Sequence, residues 1–426
     1  MKRYFYSLLA RYVGLFARPE DTLVDMDPLT DQMLPLLDHN AVTGSLCASE
    51  PIDADFVLLN GNLHYERDIQ SVLARLQTRI RGDTRLIIIY YSALWRPVLA
   101  LATALGLRIK EPEENWLSQS DIDNFLLLSG FEAVRREPKV LLPIAIPLIS
   151  DLINRYIAPL PPFTLLCMVN VLIARPVSPQ PTPGRTVPSV SIVVPARNEA
   201  GNIEAIVQRL PAMGPADELI FVEGGSSDDT WTRIKDIQTR YGSTRRILTT
   251  QQDGKGKGDA VRKGFDLAST DILMILDADL TVPPEDLPKF YQAIASGKGE
   301  FINGSRLVYP MEKHAMRFLN LLANKFFALG FSFVLGQRFK DTLCGTKVIS
   351  RENYLRLAKN RSYFGEFDPF GDFDLIFGAA RMGLRIVEVP IAYRERTYGA
   401  TNISRWTHGA LLIAMLGFAA RRLKFI

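Results

Sequence analysis

This sequence predicts two α/β domains in series, and three observations carry that expectation. Apolar runs of strand length alternate with helical periodicities along most of the chain, the pattern of a mostly parallel sheet with helices on both faces. The stretch 175-RPVSPQPTPGRTVP-188 holds five prolines and a glycine and almost nothing apolar, which is the composition of a semi-rigid linker. After that linker, the ends of successive strands carry glycines and charges in a fixed order, as a ligand-binding edge requires. Residues 1–174 and 189–426 are the two expected domains, with 175–188 between them.

Length and composition set the bounds. At 426 residues, 47% apolar and 23% charged, the chain can bury two ordinary cores. A formal charge of +4 is too small to argue for nucleic acid, and no such partner is expected. Cys47, Cys167 and Cys344 lie far apart with no C-x-x-C pair, which argues against a disulfide framework or zinc site and fits a reducing, cytoplasmic compartment.

In the first domain, Phe5, Leu8, Leu9, Tyr12, Val13 and Phe16 share one helical face. Arg11 interrupts the apolar region and no small-residue cleavage site follows, so the segment reads as a docked amphipathic helix, not a signal peptide. Next come a strand at 55-DFVLLNG-61, a helix over Ile69 to Ile80, a strand at 84-TRLIIIYYS-92, a helix containing 121-DIDNFLLLSGFEAVR-135, and a terminal strand near Leu165 to Ala174. The uncharged run Tyr156 to Ala174 is broken by Pro159, Pro161 and Pro162, so it predicts no membrane span.

In the second domain, Ser191 to Val194 is a strand, and Ile203, Ile206, Val207 and Leu210 mark a helix at i, i+3, i+4, i+7. Leu219 to Val222, Ile247 to Thr250, Ile272 to Leu276 and Glu300 to Asn303 continue the strand series, with a helix around Trp231 to Ile237. The strand ends are 195-PARNEAGN-202, 223-EGGSSDDT-230, 253-DGKGKGDA-260 and Asp277-Ala278-Asp279. Glycines there let backbone approach a ligand, Lys257 and Arg262 suit phosphate, and carboxylates suit ribose hydroxyls or a base N–H. Two anions one residue apart repel each other, so Asp277 and Asp279 call for a positive charge between them. Magnesium held by one or two carboxylates plus substrate phosphates supplies it. A lone D-x-D recurs by chance, and the Gly254 to Gly258 turn lacks the spacing of an ATPase loop; the ordered set is what points to a nucleotide and a metal.

The stretches SIVVPARNEAGNI, LIFVEGGSSDDT, GKGDAVRKGF, LDADLTVPPEDL, INGSR, DTLCGTKVIS and VEVPIAYRERTYGATNISR make residues 189–426 resemble the family 2 glycosyltransferases of GT-A fold, most closely the dolichyl-phosphate mannose synthase-like branch. The resemblance implies inverting transfer of a sugar from a nucleotide-diphosphate donor with Mg2+ or Mn2+. It implies that Pro195, Arg197, Glu199 and Glu223 hold the nucleoside, and that Asp277 and Asp279 hold metal and diphosphate. Arg306 and Arg396 would face an acceptor phosphate. The chain departs from the branch at Gly224, Thr281 and Asn402, where a second acid, a glutamine and a lysine often stand. If the acceptor is a lipid phosphate, the nucleophile is already anionic and arginines suffice to hold it. If it is a sugar hydroxyl, a general base is needed, and 371-GDFD-374 offers Asp372 and Asp374, which can equally cap the following helix.

Residues 53–175 resemble the carboxyl half of a class I S-adenosylmethionine-dependent methyltransferase, a partial Rossmann-like domain. No G-x-G occurs before residue 189, and 23-LVDMDP-28 offers only an apparent second-strand acid, Asp25 or Asp27. A truncated, inactive domain is expected. At the C-terminus, Trp406, Leu411, Leu412, Met415, Phe418 and Ala419 form an apolar sector flanked by Arg405, Arg421, Arg422 and Lys424, and 326-FFALGFSFVLG-336 is a second apolar segment. Both fit contact with a membrane surface as well as an ordinary core. The expected protein is a peripheral glycosyltransferase at the cytoplasmic membrane face, acting on a nucleotide-diphosphate sugar and a polyprenyl phosphate or lipid-linked glycan. Transfer to a glycan hydroxyl, methyl transfer by the first domain, and a non-catalytic scaffold are the alternatives.

Overall fold

The computed structural model describes residues 2–30, 32–37, 40–106, 115–177, 187–309, 318–359, 373–396, 398 and 405–426. They form two compact units: Met1–Pro179 with Arg381–Gly383 and Ala420–Ile426, and Gln180–Ala380 with Leu384–Ala419.

The first unit runs α1 (Lys2–Val13), β1 (Thr22–Met26), β2 (Asn40–Gly44), β3 (Phe56–Asn60), α2 (Ile69–Arg79), β4 (Arg85–Tyr91), α3 (Arg96–Ala104), α4 (Gln119–Leu128), β5 (Phe131–Lys139), the single turn α5 (Ile149–Leu152) and β6 (Val169–Pro176). Its sheet has the order β2-β1-β3-β4-β6-β5, parallel from β2 to β4, with β6 antiparallel to both β4 and β5. On α1, Leu8, Leu9, Tyr12 and Val13 are buried, as their shared face requires. α2 buries Ile69, Val72, Leu73 and Leu76 at i, i+3, i+4, i+7, and the Asp68 side chain caps it by accepting from Ser71 N at 3.0 Å. The helix expected through residue 135 stops at Leu128, because Gly130 at φ 74° ends it and Phe131 to Lys139 pairs with β6 instead. The terminal strand starts at Val169, later than expected, because Phe163–Leu166 forms a 3-10 turn after the prolines.

β5 places Arg135, Glu137 and Lys139 in the interior, where Lys424 joins them, all 7% exposed or less. Glu137 accepts from Arg135 Nε at 3.0 Å and from Lys424 Nζ at 2.8 Å, with Lys139 Nζ at 3.7 Å. Burial alone would raise its carboxyl, but Arg135, Lys424 and Lys139 outweigh that and hold it below the usual range. Arg135 also donates to the Leu423 carbonyl at 3.0 Å, and Arg155 to that of Phe425 at 3.1 Å, so the chain's last residues are pinned inside this unit.

Asp25 lies on β1, between β2 and β3, so the acid thought to end a second strand belongs to the first. Its carboxylate is fully buried, neither oxygen has a hydrogen-bond partner, and burial pushes it up to about 7. A carboxyl raised from 3.8 stabilises the fold fully below about pH 3.8 and loses that contribution as pH rises through about 7. Unfolding free energy should therefore fall between pH 5 and pH 8, by an amount on the order of 3 kcal/mol from this group, and the melting temperature should fall with it. Asp25→Asn should flatten that slope in a differential scanning calorimetry series; an unchanged slope would show that Asp25 is ionised or solvated.

The second unit runs β7 (Val190–Ala196), α6 (Ile203–Arg209), β8 (Asp217–Glu223), α7 (Thr230–Tyr241), β9 (Arg246–Gln251), α8 (Gly256–Leu267), β10 (Ile272–Ile275), α9 (Leu287–Ala295), β11 (Phe301–Ser305), α10 (Phe318–Leu335), β12 (Lys347–Ser350), α11 (Arg351–Ala358), α12 (Phe373–Arg381), β13 (Ile386–Pro390) and α13 (Arg405–Leu423), whose last turn belongs to the first unit. The sheet order is β13-β11-β12-β10-β7-β8-β9. It is parallel except for β12, which runs antiparallel between β10 and β11, so the sheet is mostly parallel as expected. The strands β7 and β10, and Leu219 to Val222 of β8, are nearly continuous buried apolar residues, as a sheet covered on both faces demands. α8 lies so close on β7 that a Cβ at Gly264 would collide with the Val193 side chain. On α13, Leu412, Met415, Ala419 and Leu423 are buried. Three residues of the C-terminal apolar sector, Leu412, Met415 and Ala419, are thus spent on packing, and Ile413 points out instead.

Candidate active site

From β7 the chain steps outward to β8 and β9, then returns to place β10 on the other side of β7. That reversal opens a crevice beyond the carboxyl ends of β7 and β10, where open α/β sheets bind ligands. The turn after β7 carries Pro195 to Glu199, and the end of β10 runs into Asp277 and Asp279. The structure therefore brings the expected nucleoside and metal residues to the two lips of one crevice.

Each carboxylate of the pair already faces a cation. Lys257, in the first turn of α8, puts Nζ 2.5 Å from Asp277 Oδ1. Arg396 puts Nη2 2.6 Å from Asp279 Oδ2 and Nη1 3.4 Å from Glu199 Oε1. The other oxygen of Asp279 accepts from Thr281 N at 3.1 Å and Oγ1 at 2.8 Å. Between them Leu280 sits at φ 56°, a left-handed conformation that leucine adopts only under constraint. The backbone of Gly345 closes over Asp277: a Cβ there would fall on the Asp277 carboxylate and the Lys257 amine. Arg396 reaches the pair because Ile391 N donates to Ser305 O at 3.0 Å and Arg394 N to Thr281 O at 3.0 Å, drawing residues 391–396 across the strand ends.

The turns after β7 and β8 are bonded to each other. Asn198 N donates to Ser226 Oγ at 3.0 Å, Asn198 Oδ1 accepts from Ser227 N at 2.8 Å, and Glu199 N donates to Thr230 Oγ1 at 2.9 Å. Glu223, at the end of β8, is buried and accepts from Ser226 N at 2.5 Å and Gln251 Nε2 at 2.9 Å. Burial pushes its carboxyl up, and these hydrogen bonds more than reverse that, leaving it below its usual value. Glu199 is the opposite case: burial dominates over its bond from Asn202 and its contact with Arg396, pushing it up to about 7. Arg197 is exposed and Pro195 half-buried.

Arg306 occupies a different position from the one expected of a free phosphate ligand. Its Nε and Nη2 donate to the two oxygens of the fully buried Asp341 at 2.7 and 2.9 Å, and its guanidinium lies 5.1 Å from the Tyr393 ring centre. Asp341 N in turn donates to Glu388 Oε1 at 3.0 Å. The pair thus ties the end of β11 to the DTLCGTK segment. Sequence alone assigns no role to Asp341, Gly345 or Glu388; the signal present is the acid and the glycine within DTLCGTK. Asp372 and Asn402 lie outside the described residues.

The donor set fits a hard divalent cation. Among the described residues no group of three or more His, Cys, Asp or Glu is placed to hold a metal ion. Two carboxylates, with the remaining positions left to substrate phosphate and water, is how magnesium is commonly held. Both aspartates now draw a side-chain cation to within 2.6 Å, which shows that the crevice favours positive charge.

A mixed sheet whose strand order reverses between β7 and its central strand β10, with an acid pair at the end of β10, is the α/β arrangement of the GT-A fold. Residues 191–364 match the family described as glycosyl transferase family 2. A dolichyl-phosphate hexose transferase of Haloferax volcanii is 30% identical over 232 residues, covering 53% of this chain and 92% of that protein. A dolichol-phosphate mannosyltransferase of Pyrococcus furiosus is 29% identical over 220 residues, 50% of this chain and 59% of that protein. Among solved structures, glucosyl-3-phosphoglycerate synthase from Mycobacterium tuberculosis, in complex with Mn2+, uridine-diphosphate and glucosyl-3-phosphoglycerate, aligns at 22% identity over 57% of this chain and 81% of its own, with a TM-score of 0.40. The chain belongs to glycosyl transferase family 2.

Proposed function

We propose that the second unit transfers a sugar, with inversion, from a nucleotide-diphosphate donor to a polyprenyl phosphate, using Mg2+ or Mn2+. The observation that carries this reading is the acid pair at the switch-point crevice, each carboxylate facing a cation. The names of the two relatives, both transferases to a dolichol-type phosphate, support the acceptor class.

In this reading Pro195, Arg197, Glu199 and Glu223 line the nucleoside side of the crevice, and Asp277 and Asp279 hold the cation. Lys257, now on Asp277, is placed to meet the diphosphate. The bound cation supplies Lewis-acid stabilisation to the leaving diphosphate. An anionic acceptor phosphate attacks without a general base, held by arginine. Arg396 is the group for that task, since it can leave Asp279 once another cation neutralises the acid. Arg306 acts by positioning, through Asp341. A sugar-hydroxyl acceptor would need a base in addition, for which Asp372 remains the alternative. Radiolabelled nucleotide-diphosphate sugars incubated with dolichyl phosphate and Mn2+ test the proposal. Label should move into the lipid phase; label found only in water-soluble glycan would overturn it.

Among the described residues, no helix is long and apolar enough to cross a membrane. Peripheral association at the cytoplasmic face is part of the proposal, supported by Leu322, Phe326 and Leu329 of α10, which are exposed along one stripe. We also propose that the first unit is a truncated methyltransferase-like domain that no longer binds its cofactor. Support comes from its mostly parallel sheet and from the missing glycine turn after β1, where Asp27 instead accepts from Leu46 N at 2.8 Å. Calorimetry should detect no binding of S-adenosylmethionine; micromolar binding would overturn this part.

A further inference from the structure

We infer that the first unit carries its own lipid-contact surface, made by residues 141–166 and α3. The segment 141-LLPIAIPLISDLINRYIAPLPPFTLL-166 contains only two charged residues, Asp151 and Arg155, and residues 93–106 contain only Arg96. Their apolar side chains nonetheless face solvent. Leu148 is 87% exposed, Leu165 68%, and Leu152 and, on α3, Leu101 are each more than half exposed. A surface of this composition, away from any core, marks an interaction site. Trp95 Nε1 donates to the Leu166 carbonyl at 2.9 Å and joins the two pieces into one patch.

The occupant is argued from three features. First, the loop's backbone is satisfied from within. Buried Asn154 accepts from Leu141 N and Leu142 N at 2.9 Å each and donates to the Leu142 carbonyl at 2.7 Å. Buried Ser150 accepts from Ile146 N at 2.9 Å and donates to the Ile144 carbonyl at 2.5 Å. The polar groups of the turn are thus turned inward and hydrocarbon is turned outward, as entry into a lipid interface requires. Second, Leu148 holds φ 64°, a conformation unfavourable for leucine, while its side chain touches almost nothing in the chain. The constraint serves to project it. Third, the charge and aromatic pattern suits a bilayer headgroup layer. Asp151 is matched by Arg11 at 3.7 Å, which leaves Arg96 and Arg155 to set the sign, and Arg155 lies 5.4 Å from the ring centre of the half-exposed Tyr156. Trp95 and Tyr156 are the residue types that settle at a membrane interface. A cationic, acid-poor rim around apolar tips selects an anionic lipid surface.

This surface lies in the first unit and does not rest on the donor-site reading. Its test is co-sedimentation of the full chain with phosphatidylcholine/phosphatidylglycerol vesicles. Wild type should bind, and Leu148→Glu/Leu165→Glu should bind more weakly by about tenfold or more. Both positions are exposed, so circular dichroism and melting temperature should match wild type, and nucleoside-diphosphate binding should be unchanged. Leu329→Glu on α10 gives the comparison for the second unit. If the double variant binds vesicles as tightly as wild type, the inference fails. It also fails if wild type binds no vesicles but forms a dimer that the double variant abolishes, because the patch is then a protein interface.

Discussion

Asp279→Ala should lower transfer by about a thousandfold in kcat/KM, an effect of ~4 kcal/mol on the transition state, because in the proposed site it removes one of the two protein ligands to the metal. Folding should survive, since Asp279 lies beyond the end of β10 and its partners, the local turn at Thr281 and the Arg396 guanidinium, are outside the hydrophobic core. Asp279→Asn separates the two roles. The amide oxygen can still accept from Thr281, so the turn around Leu280 persists, while the charge that attracts Arg396 and the metal is gone. Both variants should therefore be inactive, with Asn nearer to wild type in thermal stability. A steady-state assay with saturating Mn2+ checks this, and an Asn variant with near-normal turnover would remove Asp279 from the metal site.

Glu137→Gln should be the most destabilising single change in the first unit, at about 3–5 kcal/mol, because it leaves buried Arg135, Lys139 and Lys424 without their counter-charge. Adding Lys424→Met to that variant removes one of the stranded cations and should recover part of the loss. Urea denaturation of the single and double variants gives the coupling directly. A loss below about 1 kcal/mol for Glu137→Gln would mean that water reaches the cluster.

The two changes bracket what the sequence could and could not reveal. Strands such as Ile272 to Ile275 and helices such as α2 were legible because a buried strand is a continuous apolar run and an amphipathic helix repeats at 3.6. The order of the polar turns was legible too, because each follows directly from a strand whose end it decorates. Phe131 to Lys139 misled because its period-two pattern follows a helical one after a single glycine, and its inward residues are charged. Nothing local in a sequence announces that an arginine, a glutamate and a lysine will share a buried cluster with a lysine 285 residues away from one of them. Arg306 is a related case. Its partner Asp341 comes from another part of the chain, so only the fold shows that two of its donors are already taken. The second-strand acid was displaced because β1 and β2 are short and only Ala41 and Val42 of β2 are apolar.

The most direct test of the donor site is a Mn2+ titration followed by the electron paramagnetic resonance signal of the free ion, with and without nucleoside diphosphates. Wild type should take up one ion per chain when a nucleoside diphosphate is present and bind far more weakly without it, because two aspartates alone leave the coordination incomplete. In Asp277→Asn/Asp279→Asn that uptake should vanish. Uptake that is the same in both proteins, or that ignores the nucleoside diphosphate, would contradict the assignment of the acid pair.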